Sequence, residues 1–247
     1  MIFDADCHIT PTHYTEEQLL GEMEQTRTER ALIWMNPHIG EPDELNPYIY
    51  KACLKHPDRF SGFGWANPRL GVNRAIEQVK RCLEEYRFPG VKLNGAQNNY
   101  YIDDPALSFP VIDAIARRNG ILALHVGADA IEHTHPFRVG KIAQRWPSLK
   151  ILMVHMGGAA LPDISDAAIE IAACHDNITI IASAIGPKPI LKAIKTLSAA
   201  RVCYGSDSPF GIMRVEQSKM LSLLEGEVTR TELAQIMYGN INALLKS

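Results

Sequence analysis

The feature that most constrains this fold is a regular alternation of short β-rich runs with longer amphipathic stretches along the whole chain. Gly, Pro, Asn or Asp marks each change of pattern, as is typical of turns. Eight runs predict strands, at residues 2–9, 31–36, 60–67, 90–94, 121–127, 151–157, 178–185 and 202–207. Helical periodicity follows each run, at residues 15–27, 44–56, 72–86, 105–119, 136–146, 161–174, 188–197 and 213–224, and a last helix is predicted over 231–245.

A helix-sized segment between successive strands predicts a parallel sheet, and eight such units predict an α/β protein with a closed (β/α)8 TIM barrel. The chain has 247 residues, which suits one barrel domain over residues 1–247 with a C-terminal helix. The competing fold is an open, doubly wound nucleotide-binding sheet. That fold carries a glycine fingerprint after its first strand, where this chain reads Cys7-His8-Ile9-Thr10-Pro11-Thr12.

Local signals also predict helix starts. Thr15 and Thr229 fit capping boxes, and Pro105 and Pro136 suit first helical positions.

Side-chain alternation predicts which strand residues face the barrel interior. In the first run Asp4, Asp6 and His8 share one face, and the apolar residues at positions 3, 5, 7 and 9 share the other. Both faces of a parallel barrel strand are buried. We therefore expect the apolar set to pack against the helices and the polar set to point inward.

Later strands end on polar side chains. Leu122 and Leu124 before His125, and Leu152 and Val154 before His155, are predicted to face the helices. The carboxyl ends of barrel strands form the catalytic mouth. Six ionisable side chains are therefore predicted to converge there: Asp6, His8, Lys92, His125, His155 and Asp207.

Two carboxylates, three imidazoles and an amine are costly to bury unless a cation or mutual pairing compensates them. A divalent metal ion does this most simply, and imidazole nitrogen with carboxylate oxygen suits Zn, Mn or Fe. We predict one such ion as the cofactor. For each histidine alone, the alternative is an ordinary hydrogen-bonded core residue.

The chain also resembles a known family over nearly its whole length. The matching motifs are Phe3-Asp4-Ala5-Asp6-Cys7-His8, Pro89-Gly90-Val91-Lys92-Leu93, Leu124-His125-Val126-Gly127, Trp146-Pro147-Ser148-Leu149-Lys150, Val154-His155-Met156-Gly157-Gly158, Tyr204-Gly205-Ser206-Asp207-Ser208-Pro209-Phe210 and Gly239-Asn240-Ile241-Asn242-Ala243-Leu244-Leu245. In order and spacing they resemble the amidohydrolase-related (amidohydrolase 2) branch of the metal-dependent amidohydrolase superfamily. That branch includes enzymes similar to aminocarboxymuconate-semialdehyde decarboxylase.

The resemblance implies a barrel whose metal is held by Asp6, His8, His125 and Asp207, with His155 at or beside the metal and Asp207 as proton carrier. The chain departs from the usual first-strand H-x-H motif, because Asp6 takes the place of the first histidine. Some decarboxylases of the family carry an acidic residue there. An oxygen ligand should shift the preference from zinc towards Mn or Fe. Loss of the metal stays open as the alternative.

Lys92 has several interpretations. In binuclear relatives a carboxylated lysine at this strand bridges two metals, whereas here Lys92 can instead neutralise a carboxylate or bind an anionic substrate. In the loops over the mouth, the candidate substrate-binding residues are Arg69, Asn94, Tyr100 and Arg138. We interpret the loop histidines His133 and His135 as solvated and not as ligands.

Hydrolysis of a small amide, lactone or related carbonyl substrate is our leading functional hypothesis. Asp207 would carry the proton of a metal-activated water, His155 would stabilise the oxyanion, and Lys92 or a loop arginine would orient the substrate. The alternative is nonoxidative decarboxylation of a small aromatic or unsaturated carboxylic acid, with Asp207 protonating carbon. A second alternative is a metal-free hydrolase or a noncatalytic binding protein.

Composition argues against several partners. The net charge is −3 without a basic run, which disfavours nucleic acid, and apolar runs stay below the roughly 18 residues of a membrane span. The amino terminus lacks the pattern of a signal peptide. The five cysteines are widely scattered and form no C-x-x-C motif, which argues against a disulfide framework. We expect a cytoplasmic enzyme with a small-molecule substrate, and the sequence allows a homodimer through the outer helices.

Overall fold

A computed structural model describes residues 1–36, 38–127, 130–158 and 163–246. The strands in this part of the chain are β1 (Phe3–Ile9), β2 (Arg30–Met35), β3 (Phe60–Gly62), β4 (Gly64–Trp65), β5 (Gly90–Leu93), β6 (Ile121–His125), β7 (Ile151–Val154), β8 (Ile178–Ala182) and β9 (Val202–Tyr204). The helices are α1 (Glu16–Thr26), α2 (Pro42–Lys55), α3 (Val72–Lys80), α4 (Ser108–Ala116), α5 (Ile131–Thr134), α6 (Pro136–Arg145), α7 (Ser165–Cys174), α8 (Pro187–Leu197), α9 (Met213–Leu224), α10 (Arg230–Ala234) and α11 (Asn240–Lys246).

The strands form a closed parallel barrel. They pair in chain order as β1-β2-β3 and β4-β5-β6-β7-β8-β9. The predicted strand over 60–67 is divided at Phe63, whose N–H still donates to the carbonyl of Ile33 at 2.9 Å. The ring closes where His8 N–H donates to Ser208 O at 2.7 Å and Asp207 N–H donates to Asp6 O at 2.8 Å. The predicted (β/α)8 barrel is therefore confirmed.

Two apolar layers hold the barrel together. The larger lies between strands and helices, and the smaller fills the interior with Leu32, Ala123 and Leu152 among others. The C-terminal helical segment closes the amino end of the barrel. There Ile241 joins the interior cluster, and Asn240 Nδ2 donates to Val202 O at 2.8 Å.

A β-bulge in β1 overturns part of the predicted alternation. The register of β1 on β2 shifts between Asp4 and Cys7, and this shift reverses the side-chain alternation once. Phe3 and Ala5 consequently belong to the interior cluster, whereas we had expected them to face the helices. Asp4 was expected to point inward but lies on the other face, where its Oδ1 accepts from Ser206 N–H at 2.9 Å. Beyond the bulge, Asp6 and His8 point inward as predicted.

Most predicted helix starts are confirmed. Both capping boxes form, at Thr15 and at Thr229, and Pro136 opens α6. The helix predicted to start at Pro105 begins at Ser108 instead, after a turn in which Asp104 Oδ1 accepts from the N–H groups of Ala106 and Leu107. The predicted helix start at residue 161 lies outside the described residues, and α7 begins at Ser165.

Within the described ranges, the structure has no helix that is both long and apolar enough to cross a membrane.

Candidate functional site

Three predicted metal ligands form a compact buried group at the carboxyl end of the barrel. Asp6, His8 and Asp207 each offer one ligand atom, and these atoms all lie within 4.8 Å of one another. His8 Nε2 is 3.8 Å from Asp6 Oδ1 and 3.7 Å from Asp207 Oδ1. Asp6 and His8 are brought inward by the bulge, and the backbone bond between Asp207 and Asp6 that closes the barrel sets their distance.

The tautomer of His8 is fixed by its neighbours. Nδ1 lies 2.7 Å from the carbonyl of Met35, which can only accept, so Nδ1 carries the proton. Nε2 therefore has the lone pair and accepts from the indole N–H of Trp34 at 3.0 Å. Burial, followed by the charge of Lys92, holds the pKa of His8 well below its usual value. The imidazole is neutral, as metal binding requires.

His155 reaches the mouth by a route that the alternation did not predict. Leu152 and Val154 lie in the barrel interior, not against the helices as expected. The strand ends at Val154, and left-handed backbone at His155 (φ 67°) and Met156 (φ 42°) reverses the direction of the chain. His155 Nδ1 consequently lies 3.6 Å from Asp6 Oδ2. Burial and then Lys92 lower the pKa of His155 to about 3, which keeps this ring neutral as well.

Left-handed residues recur at neighbouring strand ends. Ala184 follows β8 with φ 50°, and Asp207 follows β9 with φ 59°. Such conformations are unfavourable for residues with a Cβ and concentrate at functional sites. They turn the chain sharply at the edge of the mouth.

His125 lies in the same pocket but does not belong to the three-residue donor group. Its ring centroid is 4.6 Å from that of His155. Its Nε2 is buried and has no hydrogen-bond partner in the part of the chain that the structure describes. Burial, then His155 and Lys92, hold its pKa well below the usual value. Its role as a fourth ligand stays a prediction.

Lys92 places a buried ammonium group beside the carboxylates. Nζ lies 4.0 Å from Asp6 Oδ1 and 3.7 Å from the centre of the Trp34 ring, with the Trp65 ring at 5.4 Å. Among the described residues it has no hydrogen-bond partner. Burial lowers the pKa of Lys92 to about 8, against the opposing effects of Asp6 and Asp207.

Burial favours the protonated form of the Asp207 carboxyl group. Burial, and then the charge of Asp6, raise its pKa to about 9, while Lys92 acts in the opposite direction. A carboxyl group with this property suits proton donation.

The donor set fits a divalent metal ion. Asp6 Oδ1 and His125 Nε2 are buried polar atoms without a hydrogen-bond partner among the residues described, a state that costs free energy. An ion at this place would satisfy such atoms. Carboxylate oxygen and neutral imidazole nitrogen are donors typical of Mn, Fe and Zn sites.

The loop residues predicted to bind substrate have different surroundings. Arg69 is exposed in a short 3₁₀ turn (Pro68–Leu70), and Asn94 Nδ2 donates to Gln97 Oε1 at 2.6 Å. Tyr100 is buried, and burial raises the pKa of its phenol. Arg138 donates to Asp103 Oδ1 at 2.5 Å. Their contact with a substrate stays a prediction.

The two loop histidines pack locally. His133 stacks edge-on against Tyr101 with ring centroids 4.7 Å apart, and His135 caps the start of α6. His133 is half-buried, and its Nδ1 is buried without a hydrogen-bond partner in the described part of the chain, so this ring is less solvated than we had interpreted.

Sequence reasoning missed several residues of the mouth. Trp34 and Ser183 contact the candidate ligands His8 and Asp6. The Phe210 ring packs edge-on against two imidazoles, with its centroid 5.4 Å from that of His8 and 6.4 Å from that of His38. Trp34 shares the inward face of β2 with Leu32, and Ser183 follows inward-facing Ile181 by two residues. The alternation in the sequence could therefore have identified both. His38 and Phe210 lie in loops, where no periodic signal exists.

Comparisons with known proteins address the family and the fold of the chain. A family model described as Amidohydrolase matches residues 3–246. The 2-amino-3-carboxymuconate-6-semialdehyde decarboxylase of Dictyostelium discoideum is 27% identical over 148 residues, which are 51% of this chain and 41% of that protein. The matched region thus spans less than half of that relative.

Solved structures are similar over the whole chain. The 2,6-dihydroxybenzoate decarboxylase complexed with 2,6-dihydroxybenzoate has a TM-score of 0.78 at 18% identity, covering 100% of this chain and 99% of that chain. The dihydroxybenzoic acid decarboxylase of Polaromonas sp. JS666, with bound manganese and the inhibitor 2-nitroresorcinol, has a TM-score of 0.76 at 17% identity, covering 99% and 96%. At such identities the likeness establishes the fold alone. Because the family model matches nearly the complete chain, this protein belongs to the amidohydrolase family.

Proposed function

We propose that this protein is a metal-dependent, nonoxidative decarboxylase of a small aromatic or unsaturated carboxylic acid. The observation that carries the proposal is the buried donor group of Asp6, His8 and Asp207 at the carboxyl end of the barrel, with the Lys92 ammonium group 4.0 Å from Asp6 Oδ1. Decarboxylation leaves an electron pair on carbon, which must receive a proton. The carboxyl group of Asp207, whose pKa burial raises, would supply it.

The comparisons favour this hypothesis over the hydrolysis that the sequence led us to expect first, because the relatives described above are named decarboxylases.

Asp6, His8 and Asp207 would hold the metal ion, with His125 as the additional candidate. When bound, a divalent ion supplies Lewis acidity to an oxygen of the substrate. The acidic Asp6 favours Mn or Fe over zinc, and the Polaromonas structure contains manganese.

The other residues of the mouth bind the substrate and move a proton. The Lys92 ammonium group, which lies between Asp6 and the Trp34 ring, would pair with the carboxylate of the substrate. Trp34 and Phe210 would exclude water from the reacting carbon. Asp207 would then donate its carboxyl proton to the carbon from which carbon dioxide departs. With 8% of its surface exposed, Asp207 can recover a proton from solvent.

A substrate panel tests this proposal. Protein loaded with Mn or Zn is incubated with dihydroxybenzoic acids and unsaturated amino-dicarboxylic acids, and release of carbon dioxide is measured. A parallel panel of lactones and amides in ¹⁸O-labelled water measures hydrolysis. We expect carbon dioxide release and no label incorporation, and hydrolysis without decarboxylation would contradict the proposal.

The role of Asp207 has a matched test. Asp207→Asn is compared with Asp166→Asn, since Asp166 is an exposed residue that pairs with Lys192 on the surface. We expect the first variant to lose at least about 100-fold in kcat and the second to keep full activity. Full turnover by Asp207→Asn would exclude Asp207 as the proton donor.

A further inference from the structure

Ser183 connects two residues of the mouth that come from different strands. It follows β8 directly and is fully buried. Its Oγ lies 2.5 Å from Asp6 Oδ2 and 2.9 Å from His155 Nδ1. No charge or metal-ligand pattern in the sequence marks this serine, yet it contacts both an acidic candidate ligand and the second imidazole.

The hydroxyl proton determines the directions of both hydrogen bonds. Ser183 Oγ donates to Asp6 Oδ2, and a hydroxyl group has a single proton to donate. The bond between Ser183 Oγ and His155 Nδ1 must then be donated by the imidazole. Nδ1 of His155 carries the ring proton, and Nε2 is left with the lone pair.

We propose that Ser183 is a positioning residue that holds the Asp6 carboxylate by Oδ2 and fixes His155 as the tautomer protonated at Nδ1. Asp6 Oδ1 is thereby turned towards His8 Nε2, 3.8 Å away, and Lys92 Nζ, 4.0 Å away. His155 is left with Nε2 as the nitrogen that can accept a hydrogen bond or a proton. The hydrogen-bond arrangement does not depend on the reaction, and only its use in catalysis rests on the proposed function.

Packing of the next strand restrains the same two residues. A Cβ atom at Gly205, just after β9, would lie 2.9 Å from the Asp6 Cβ and 3.2 Å from the Ser183 Cβ. The Gly205 backbone therefore lies directly against both side chains and limits their movement. The Ser183–Asp6 bond is consequently held by packing as well as by its own geometry.

The tautomer is measured by NMR of metal-free protein labelled with ¹⁵N-histidine. The spectrum contains nine histidines, so the His155 signals are assigned by their loss in His155→Gln. We expect a neutral ring protonated at Nδ1. A neutral ring protonated at Nε2 would overturn the proposal, because Ser183 would then donate to His155 and not to Asp6. This measurement needs neither a variant of Ser183 nor a substrate.

Ser183→Ala tests the consequence for the metal site. Its control is Ser108→Ala, since Ser108 is another buried serine, with Oγ donating to Tyr101 O at 2.8 Å outside the mouth. Replacing a residue that orients a metal ligand typically lowers metal affinity about 10- to 100-fold. We expect Ser183→Ala to lose that much Mn affinity by calorimetry and to lose the Nδ1 preference, while Ser108→Ala loses neither.

Ser183→Thr keeps the hydroxyl and should retain the tautomer, which separates loss of the hydrogen bonds from poor folding of the alanine variant. Equal behaviour of Ser183→Ala and Ser108→Ala in both measurements would overturn the proposal. If the expected tautomer is observed and no acid is decarboxylated, the proposed function fails and the role of Ser183 stands.

Discussion

The indole N–H of Trp34 donates to Nε2 of His8 at 3.0 Å, which is the nitrogen that a metal ion would have to bind. The hydrogen bond and the metal compete for one lone pair. Trp34 also lies under the Lys92 ammonium group, which is 3.7 Å from its ring. The Trp34 side chain therefore contacts both the metal-binding nitrogen of His8 and the charged group of Lys92.

This relationship predicts that Trp34→Phe binds Mn more tightly than the unchanged protein. Breaking a hydrogen bond costs about 0.5–1.5 kcal/mol, which corresponds to roughly a two- to tenfold gain in affinity. Calorimetric titration of metal-free protein with Mn measures this affinity. Trp146→Phe is the control, because Trp146 packs on Phe109 outside the mouth and its replacement should leave affinity unchanged. Equal or weaker binding by Trp34→Phe would show that Trp34 does not compete with the ion.

Gly205→Ala should damage both the metal site and stability. The added Cβ would lie 2.7 Å from Ile181 Cγ2 and 2.9 Å from Asp6 Cβ, so Asp6 must shift. We expect about 1–3 kcal/mol lower stability and at least about tenfold weaker Mn binding. Denaturant unfolding and calorimetry measure the two effects.

Gly21→Ala provides the matched control for that variant. Gly21 lies in α1, and a Cβ there would meet nothing within 4 Å. Since alanine favours a helix over glycine by about 1 kcal/mol, this variant should be slightly more stable and bind metal normally. Unchanged metal binding by Gly205→Ala would mean that Asp6 does not need its present position.

Asp103 forms ion pairs with Arg138 and Lys141 away from the mouth. These pairs predict that the stability of the protein depends on pH. Burial would raise its pKa, but hydrogen bonds from Lys141 and Arg138 hold the pKa below its usual value. A carboxyl group whose pKa is lower in the folded protein stabilises the fold above its unfolded value of about 3.9, and this contribution is lost as the pH falls through the folded pKa. Asp103→Asn should therefore lose about 1–3 kcal/mol at pH 7.

The difference between the unchanged protein and Asp103→Asn should shrink as the pH falls below about 4. This difference is measured from the unfolding free energies of both proteins between pH 7 and acid pH. The control is Asp166→Asn, because an exposed ion pair contributes little. A difference that stays constant down to acid pH would contradict the account of Asp103.

The sequence predicted the barrel because alternation between strand and helix is a property of the whole chain. It also predicted the convergence of Asp6, His8 and Asp207, since strand direction brings carboxyl ends to one edge. The inward direction of Lys92 followed from simple alternation between Val91 and Leu93.

The errors arose where the backbone departs from regular strands. A bulge reversed the faces of Phe3, Asp4 and Ala5, and left-handed residues, not alternation, turned His155 to the mouth. No glycine marks the bulge, and the left-handed turn begins at His155 and Met156, before the glycines that follow them. Trp34 and Ser183 were missed although alternation places both on inward faces, because an apolar ring and a hydroxyl group carry no signal of metal chemistry.

The amount of metal bound by the purified protein tests the central claim most directly. Protein incubated with Mn and freed of excess ion is measured by elemental analysis, alongside His8→Ala and Asp6→Ala. We predict about one equivalent of Mn in the unchanged protein and less than about a tenth in either variant. Less than a tenth of an equivalent in the unchanged protein, or full occupancy in both variants, would contradict a metal site built on Asp6, His8 and Asp207.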